Sequence, residues 1–325
     1  MTRSAFGLTD RYVLRHEQDF FRMEGYFVRA AEEQTIVVKY LKVGRKKTIE
    51  RNGVAYTKYS AHIGLLPVVL IAPDDTLLIT EGSEARRRFL DHSLSQSDPY
   101  YLSQLIAYDR LLKQRNALLK QYAERGGFDG GLLGAYDKQM EGPARYLYEA
   151  RLEFAEYFTP IFQRIYERIS GGREQVSCSY DSKLDAYSLL QLRAESLDKD
   201  RVLQRTTTGP HRDDLTLLID GQPVRRYASQ GQLKSYVLSL KLGQFELLRQ
   251  QNGAPPILLL DDLFDKLDHD RVTRLLTLLV EEEYGQIIIT DTSLDRVQDI
   301  VAAFDTAYRI FEVESGTVAL RHERD

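Results

Sequence analysis

The sequence predicts an α/β fold in which helices pack on a parallel sheet and an all-helical arm is inserted into the body. Three observations predict it. From about residue 200 onward, apolar strands alternate with helix-period stretches across short connections, the order that builds parallel sheets. The run Ile257, Leu258, Leu259 and Leu260 is what a strand buried on both faces looks like. Between residues 91 and 200 the apolar period becomes that of long amphipathic helices. A chain of 325 residues is enough for one large domain or two ordinary ones, with ample core.

Residues 1–90 read as strands. "DFFRMEGYFVRA" and "QTIVVKYLKVG" alternate or cluster β-branched and aromatic residues, and Asn52-Gly53 is a hairpin turn signal. A further strand, "LLPVVLIA", stops at Pro73-Asp74-Asp75. In residues 91–200, Leu102, Leu105, Ile106, Leu111, Leu112 and Leu118 fall near helical spacing. A second long helical pattern follows the Gly-rich "RGGFDGGLLG", which reads as the loop of an antiparallel helix pair. Gly142-Pro143 and Pro160 are expected to break that second pattern. In residues 201–325, "DDLTLLIDGQPV" is a hairpin turning at Asp220-Gly221. A helix from about Gln230 to Gln251 precedes the strand 257–260. Helix "HDRVTRLLTLLVEEE", strand "QIIIT", a short helix and a strand pair around "AYRIFEVESGTVALR" complete the order.

Composition excludes several classes. Apolar residues are 43% and charged residues 28%, ordinary for a globular protein. The net charge of −4 means that any nucleic-acid surface must be a local patch. A single cysteine, Cys178, rules out an intrachain disulfide and Cys-based zinc patterns, and a reducing, cytoplasmic compartment is expected. The longest apolar runs, such as Leu65 to Ala72, fall far short of the roughly 20 residues of a membrane helix. No signal-peptide pattern is visible among Arg3, Asp10, Arg11 and Arg15.

Two stretches could carry chemistry. The aliphatic strand ends in Asp261 and Asp262, the pattern of a Walker B element, in which the first carboxylate holds Mg²⁺ and the second orients the attacking water. A solvated Asx turn, with Asp262 or Asp265 capping the next helix, explains the same residues. In "ASQGQLKS", Ser229 and Gln232 form a capping box, which suffices for a helix start. Gly231 costs helix stability there but would let a phosphate approach the exposed N–H groups. Ser-Gln-Gly-Gln resembles the Ser-Gly-Gly-Gln signature of ABC-type ATPases, and its lead of roughly 30 residues over the aspartates suits one intervening helix. Weaker signals are the "GPHRDD" turn from Gly209, the arginines Arg86, Arg87 and Arg88, and the basic Arg45, Lys46 and Lys47. One or two of the three arginines are candidates for phosphate contact, and a turn with a salt bridge accounts for "GPHRDD".

Taken together, "MTRSAFGLTD", "LLPVVLIAPDD", "GSEARRRFLD", "LLKQRNALL", "SYDSKL", "GPHRDDL", "ASQGQLKS" and "LLLDDLFDKLD" closely resemble, in order and over nearly the whole chain, the RecF family of bacterial recombination and gap-repair ATPases. The resemblance implies an ABC/SMC-like head that dimerises around ATP and hydrolyses it slowly. It implies DNA binding at gaps and single-strand/double-strand junctions, cooperation with RecR and RecO in loading RecA, and a part in SOS induction. Carried over by position, Asp261 is the magnesium residue, Asp262 the water-activating carboxylate, and Asp268 the D-loop aspartate crossing the dimer interface. Ser229, Gly231 and Gln232 are signature residues acting on the partner's ATP. The implied division is 1–90 and 201–325 as the two parts of the head, with 91–200 as the arm.

Two departures matter. No G-x-x-x-x-G-K-[ST] occurs in the sequence. In the family that phosphate-cradling loop precedes the segment matching Met1 to Asp10, so the head is expected to be incomplete at its N-terminus. ATP and Mg²⁺ are then expected to bind weakly and hydrolysis to be lost. At "IIITDTS", Asp291 stands near the place of a transporter's switch histidine. The alternative function is a nucleotide-independent module docking on RecR-like partners or DNA. An SMC-type ATPase is disfavoured because residues 91–200 are too short and broken for a long coiled coil, and a transporter ATPase by the arm itself.

Overall fold

Hairpin turns organise the two β-rich parts. Asn52 and Gly53 (φ 50° and 81°), Asp220 and Gly221 (48° and 74°), and Ser315 and Gly316 (49° and 79°) each place two consecutive residues in the left-handed region, matching the twist of the strands they join. The structure, a computed structural model, describes residues 8–29, 31–262, 269–282, 284–302 and 307–324. After the short α1 (Asp10–Val13), an antiparallel sheet runs β1 (Phe20–Arg29), β2 (Glu32–Leu41), β3 (Lys46–Arg51) and β4 (Val54–Ala55). Strand β5 (Val68–Ile71) leads through α2 (Leu77–Thr80) and α3 (Ser83–Ser97) into α4 (Pro99–Arg125) and α5 (Gly130–Ser170). Next come β6 (Val176–Asp181), α6 (Leu189–Leu203), β7 (Asp214–Ile219), β8 (Gln222–Pro223) and α7 (Val224–Tyr227). The chain then forms α8 (Gln230–Asn252), β9 (Ile257–Asp261), α9 (His269–Glu281), β10 (Ile287–Thr290), α10 (Leu294–Ala302), β11 (Tyr308–Glu314) and β12 (Thr317–Arg324).

The expected parallel sheet is present in the order β10-β9-β5. Its strand β9 departs from the sequence expectation in one respect. Leu258 and Leu260 are buried, packed with Val69, Ile71, Leu242, Phe245 and Leu275, but Ile257 and Leu259 on the other face are only half-buried. Ile288, opposite Leu259, is 48% exposed. One face of the sheet, not both, is sealed.

The arm region differs in two ways. Helix α5 runs unbroken for 41 residues through Pro143 and Pro160. Its buried Phe154, Phe158, Phe162 and Tyr166 recur every fourth residue, and the first three rings stack at 5.0 and 6.0 Å. Burial at about 1.5–3 kcal/mol per ring outweighs the roughly 3 kcal/mol cost of an internal proline. The segment 91–200 is also not helical throughout: β6 lies inside it and pairs antiparallel with β7 of the following region. Among the described residues no helix is long and apolar enough to cross a membrane.

A buried ionic lattice joins the helices to the loop ahead of β7. The fully buried Arg115 donates to Asp137 (2.7 Å), Asp200 (2.7 Å) and Thr206 Oγ1 (2.8 Å). Arg151 donates to the Pro210 carbonyl (2.8 Å), Asp91 (2.8 Å) and the Tyr101 hydroxyl (2.9 Å), and Arg193 to the Thr208 carbonyl (2.6 Å). His211 is held in the same loop, with Nδ1 2.8 Å from the Tyr108 hydroxyl and Nε2 3.1 Å from the Thr206 carbonyl. A carbonyl can only accept, so Nε2 carries the proton and Nδ1 accepts from Tyr108. Burial pushes the pKa of this neutral imidazole down to about 3.

Candidate functional site

The two candidate stretches stand on consecutive elements, Ser229 at the amino end of α8 and Asp261 and Asp262 at the carboxyl end of β9. Helix α8 ends at Gly253, in the left-handed conformation, and its Leu238, Leu242, Phe245 and Leu248 share a core with Leu258 and Leu260 of β9. The carboxyl ends of its strands are the edge at which an open parallel sheet binds ligands.

Asp261 closes β9, and its Oδ1 accepts a 2.5 Å hydrogen bond from Thr290 Oγ1 at the end of β10. Parallel register sets Thr290 directly opposite Asp261. Asp262 leaves the strand at φ 45°, with its N–H donating to the Thr290 carbonyl at 3.1 Å. Both aspartates are half-buried at the strand end. Among the described residues no group of three or more His, Cys, Asp or Glu converges as a ready metal cage. The donor set fits a hard cation held by one carboxylate, the adjacent hydroxyl and water, which is how Mg²⁺ is usually bound. Asp75, at the end of β5, is already engaged with the Ala72 N–H (2.8 Å) and Lys241 (3.2 Å). Asp291 is buried and accepts from the Ser293 N–H at 2.8 Å, organising the turn into α10.

The helix start at Ser229 is a reciprocal capping box. Ser229 Oγ accepts from the Gln232 N–H at 3.2 Å, and Gln232 Oε1 accepts from the Ser229 N–H at 2.7 Å. Gln232 Nε2 then donates to Glu174 at 2.9 Å, and Glu174 also accepts from the Tyr166 hydroxyl at 3.4 Å. Gly231 sits in the first helical turn, half-buried, while Ser229 is exposed. Asp268 lies outside the described residues. The structure thus brings Asp261 and Asp262 together, and separately Ser229, Gly231 and Gln232. Thr290 and Glu174 were not legible in the sequence; only strand register and tertiary approach select them.

The remaining basic signals resolve differently. Arg86 pairs bidentately with Asp214 (2.6 and 2.9 Å) and Arg87 donates to the Asp213 carbonyl (2.7 Å), so two of the three arginines hold the "GPHRDD" turn rather than facing a phosphate. Arg88 points outward. Lys47 pairs with Asp10 at 2.7 Å.

A nucleotide-head sheet, an antiparallel β-part and an arm of paired helices define the class: an ABC-type ATPase head of the kind found in SMC proteins. The Smc head bound to the winged-helix domain of ScpA overlays with a TM-score of 0.50 at 13% identity, across 94% of this chain and 74% of that one, a likeness of fold alone. The solved RecF–ATP structure from the RecFOR pathway matches far better, with a TM-score of 0.86 at 27% identity over 98% of this chain and 84% of that one. No protein-family model matches the chain. The DNA replication and repair protein RecF of Flavobacterium johnsoniae is 43% identical over 300 residues, covering 92% of this chain and 83% of the relative. RecF of Phocaeicola vulgatus is 40% identical over 322 residues, covering 99% and 86%. The chain belongs to the RecF family.

Proposed function

We propose that the chain works in DNA replication and repair as one half of an ATP-dependent RecF-type dimer. In this reading Asp261 and its neighbour Thr290 hold Mg²⁺, which supplies charge neutralisation at the phosphates. Asp262 orients and deprotonates the attacking water, and Ser229, Gly231 and Gln232 meet the nucleotide held by the other copy, with Asp268 crossing the interface. The closed dimer binds DNA at gaps and single-strand/double-strand junctions and acts with RecR and RecO in loading RecA and in SOS induction. One observation carries the reading: in a chain of this family, an aliphatic strand of the parallel sheet ends in two half-buried carboxylates, the first of them hydrogen-bonded to Thr290. The RecF structures with ATP and its analogue support the nucleotide.

The test is sedimentation of two forms: the 325-residue chain, and the same chain preceded by a relative's strand–loop–helix carrying G-x-x-x-x-G-K-[ST]. ATP, and not ADP, is expected to drive the extended form to a dimer, while the shorter form binds ATP poorly. An extended form that stays monomeric at saturating ATP ends the sandwich reading. Micromolar ATP affinity in the shorter form removes the argument from the missing motif. A second reading is a nucleotide-independent module docking on RecR-like partners or DNA. DNA binding that weakens steeply with salt and ignores ATP is its mark.

A further inference from the structure

Two surfaces of this chain carry opposite charge. The first is the approach to Ser229. Helix α7 is anchored by Val224, which is buried and shares a core with Leu78, Leu233 and Val237. The rest of α7, Arg225, Arg226 and Tyr227, faces solvent, with Tyr227 64% exposed. Arg173 is exposed as well, next to Glu174, the carboxylate that holds Gln232. Among the described residues none of these three arginines forms an ion pair or donates a side-chain hydrogen bond. Arginines farther along the neighbouring helices are neutralised locally: Arg168 of α5 pairs with Glu282 and Arg249 of α8 with Glu246, both at 2.6 Å.

The second surface is the carboxyl edge of the parallel sheet. Ile71 pairs with Leu260, so β5 and β9 reach that edge at the same level. Asp74 is exposed on the turn after β5, and Asp261 and Asp262 are half-buried at the end of β9. One edge therefore gathers three carboxylates from two neighbouring strands.

Each copy carries a net charge of −4, so bringing two copies together works against their overall charge, and a nucleotide between them adds phosphates. Positive charge on one wall facing negative charge on the other offsets that repulsion and fixes which surfaces meet. In a two-fold dimer such a contact occurs twice, each copy lending one wall to each site. The residue types agree, because arginine and tyrosine are enriched where proteins meet. Their short helix is already held by the buried Val224, so little ordering is left to do on docking. A nucleic-acid backbone also attracts arginines, but the matching carboxylates stand on this same chain, which favours a second copy.

We propose that Arg173, Arg225, Arg226 and Tyr227 form one wall of the contact between two copies, docking against the edge of the second copy that carries Asp74, Asp261 and Asp262. The proposal rests on the sandwich reading above and adds the side chains that give it charge complementarity.

The test is sedimentation of the motif-extended form with ATP. Arg225→Glu combined with Arg226→Glu is expected to raise the concentration needed for dimerisation about 100-fold. Asp74→Lys is expected to raise it about 10-fold. A mixture of the two variants should dimerise at a lower concentration than either alone, because one site then pairs glutamates with lysine while the other keeps its original charges. That recovery also shows that both variants are folded. An arginine variant that dimerises like the wild type, or a mixture no better than its components, overturns the proposal. DNA affinity that falls while dimerisation holds gives the arginines to nucleic acid and overturns it as well. A wild-type extended form that never dimerises removes the sandwich reading and this wall with it, whereas wild-type dimers indifferent to the arginines leave that reading standing.

Discussion

The loop at residues 204–214 and the mouth of the parallel sheet both gather charged side chains, and they treat them in opposite ways. Around the loop, Arg115 and Asp200 are fully buried, and both find partners inside the protein. Desolvating such groups costs several kcal/mol each, so they persist only where hydrogen bonds and opposite charge offset that loss. At the sheet mouth, Asp261 and Asp262 remain half-exposed, and Thr290 donates to Asp261. The first region has spent its electrostatics on holding helices to a loop; the second has kept its carboxylates available. An ionic cluster satisfied from within is architecture, whereas carboxylates left open at a strand end are where a ligand's charge can enter.

The sharpest way to break this contrast is Arg115→Ala. It leaves Asp200 buried without the Arg115 guanidinium, while Asp137 keeps Arg193 at 3.3 Å, and a loss of about 3–5 kcal/mol in urea unfolding is expected. A loss below about 1 kcal/mol would mean that the lattice is not load-sharing and that the contrast is false. At the other region, Asp262→Asn in the motif-extended form should slow ATP hydrolysis about 10²–10⁴-fold while ATP-driven dimerisation persists. Dimerisation lost along with hydrolysis would move Asp262 into the architectural class.

Acid sharpens the comparison further. His211 has a folded pKa of about 3, below its unfolded value. Its neutral form is what the fold binds, so its contribution is complete above about pH 6.5 and is lost as pH falls from there toward 3. The expected loss at pH 5 is about 2 kcal/mol, absent in His211→Asn, and is read from denaturant midpoints across pH. A pH profile unchanged by the substitution would show that the imidazole is already charged in the fold. The smallest effect belongs to Thr290→Val. Removing a hydroxyl from a partly exposed aspartate should cost no more than about 1 kcal/mol of stability, while Mg²⁺-dependent protection of the extended form is reduced. A larger loss of stability would place Asp261 among the buried, internally satisfied groups.

Much of the fold was legible because it rests on local rules. Asn52-Gly53 and Asp220-Gly221 had to turn, the Ser229–Gln232 box had to start a helix, and the aliphatic run had to be a strand. The proline positions in α5 misled because chain-local cost was set against burial of Phe154, Phe158 and Phe162, which sequence spacing does not weigh. Arg86 and Arg87 misled for a related reason: three adjacent arginines look alike in sequence, but a helix turns about 100° per residue, and only some of them meet Asp213 and Asp214.

The sequence by itself determined which segments could be strands, helices and turns, and which residues could carry charge to the end of a strand, because those properties follow from neighbours a few positions away. Only the tertiary structure decided that Thr290 stands beside Asp261 and that Glu174 holds Gln232. Those pairings join residues far apart in the chain, and their geometry is fixed by strand register and helix packing.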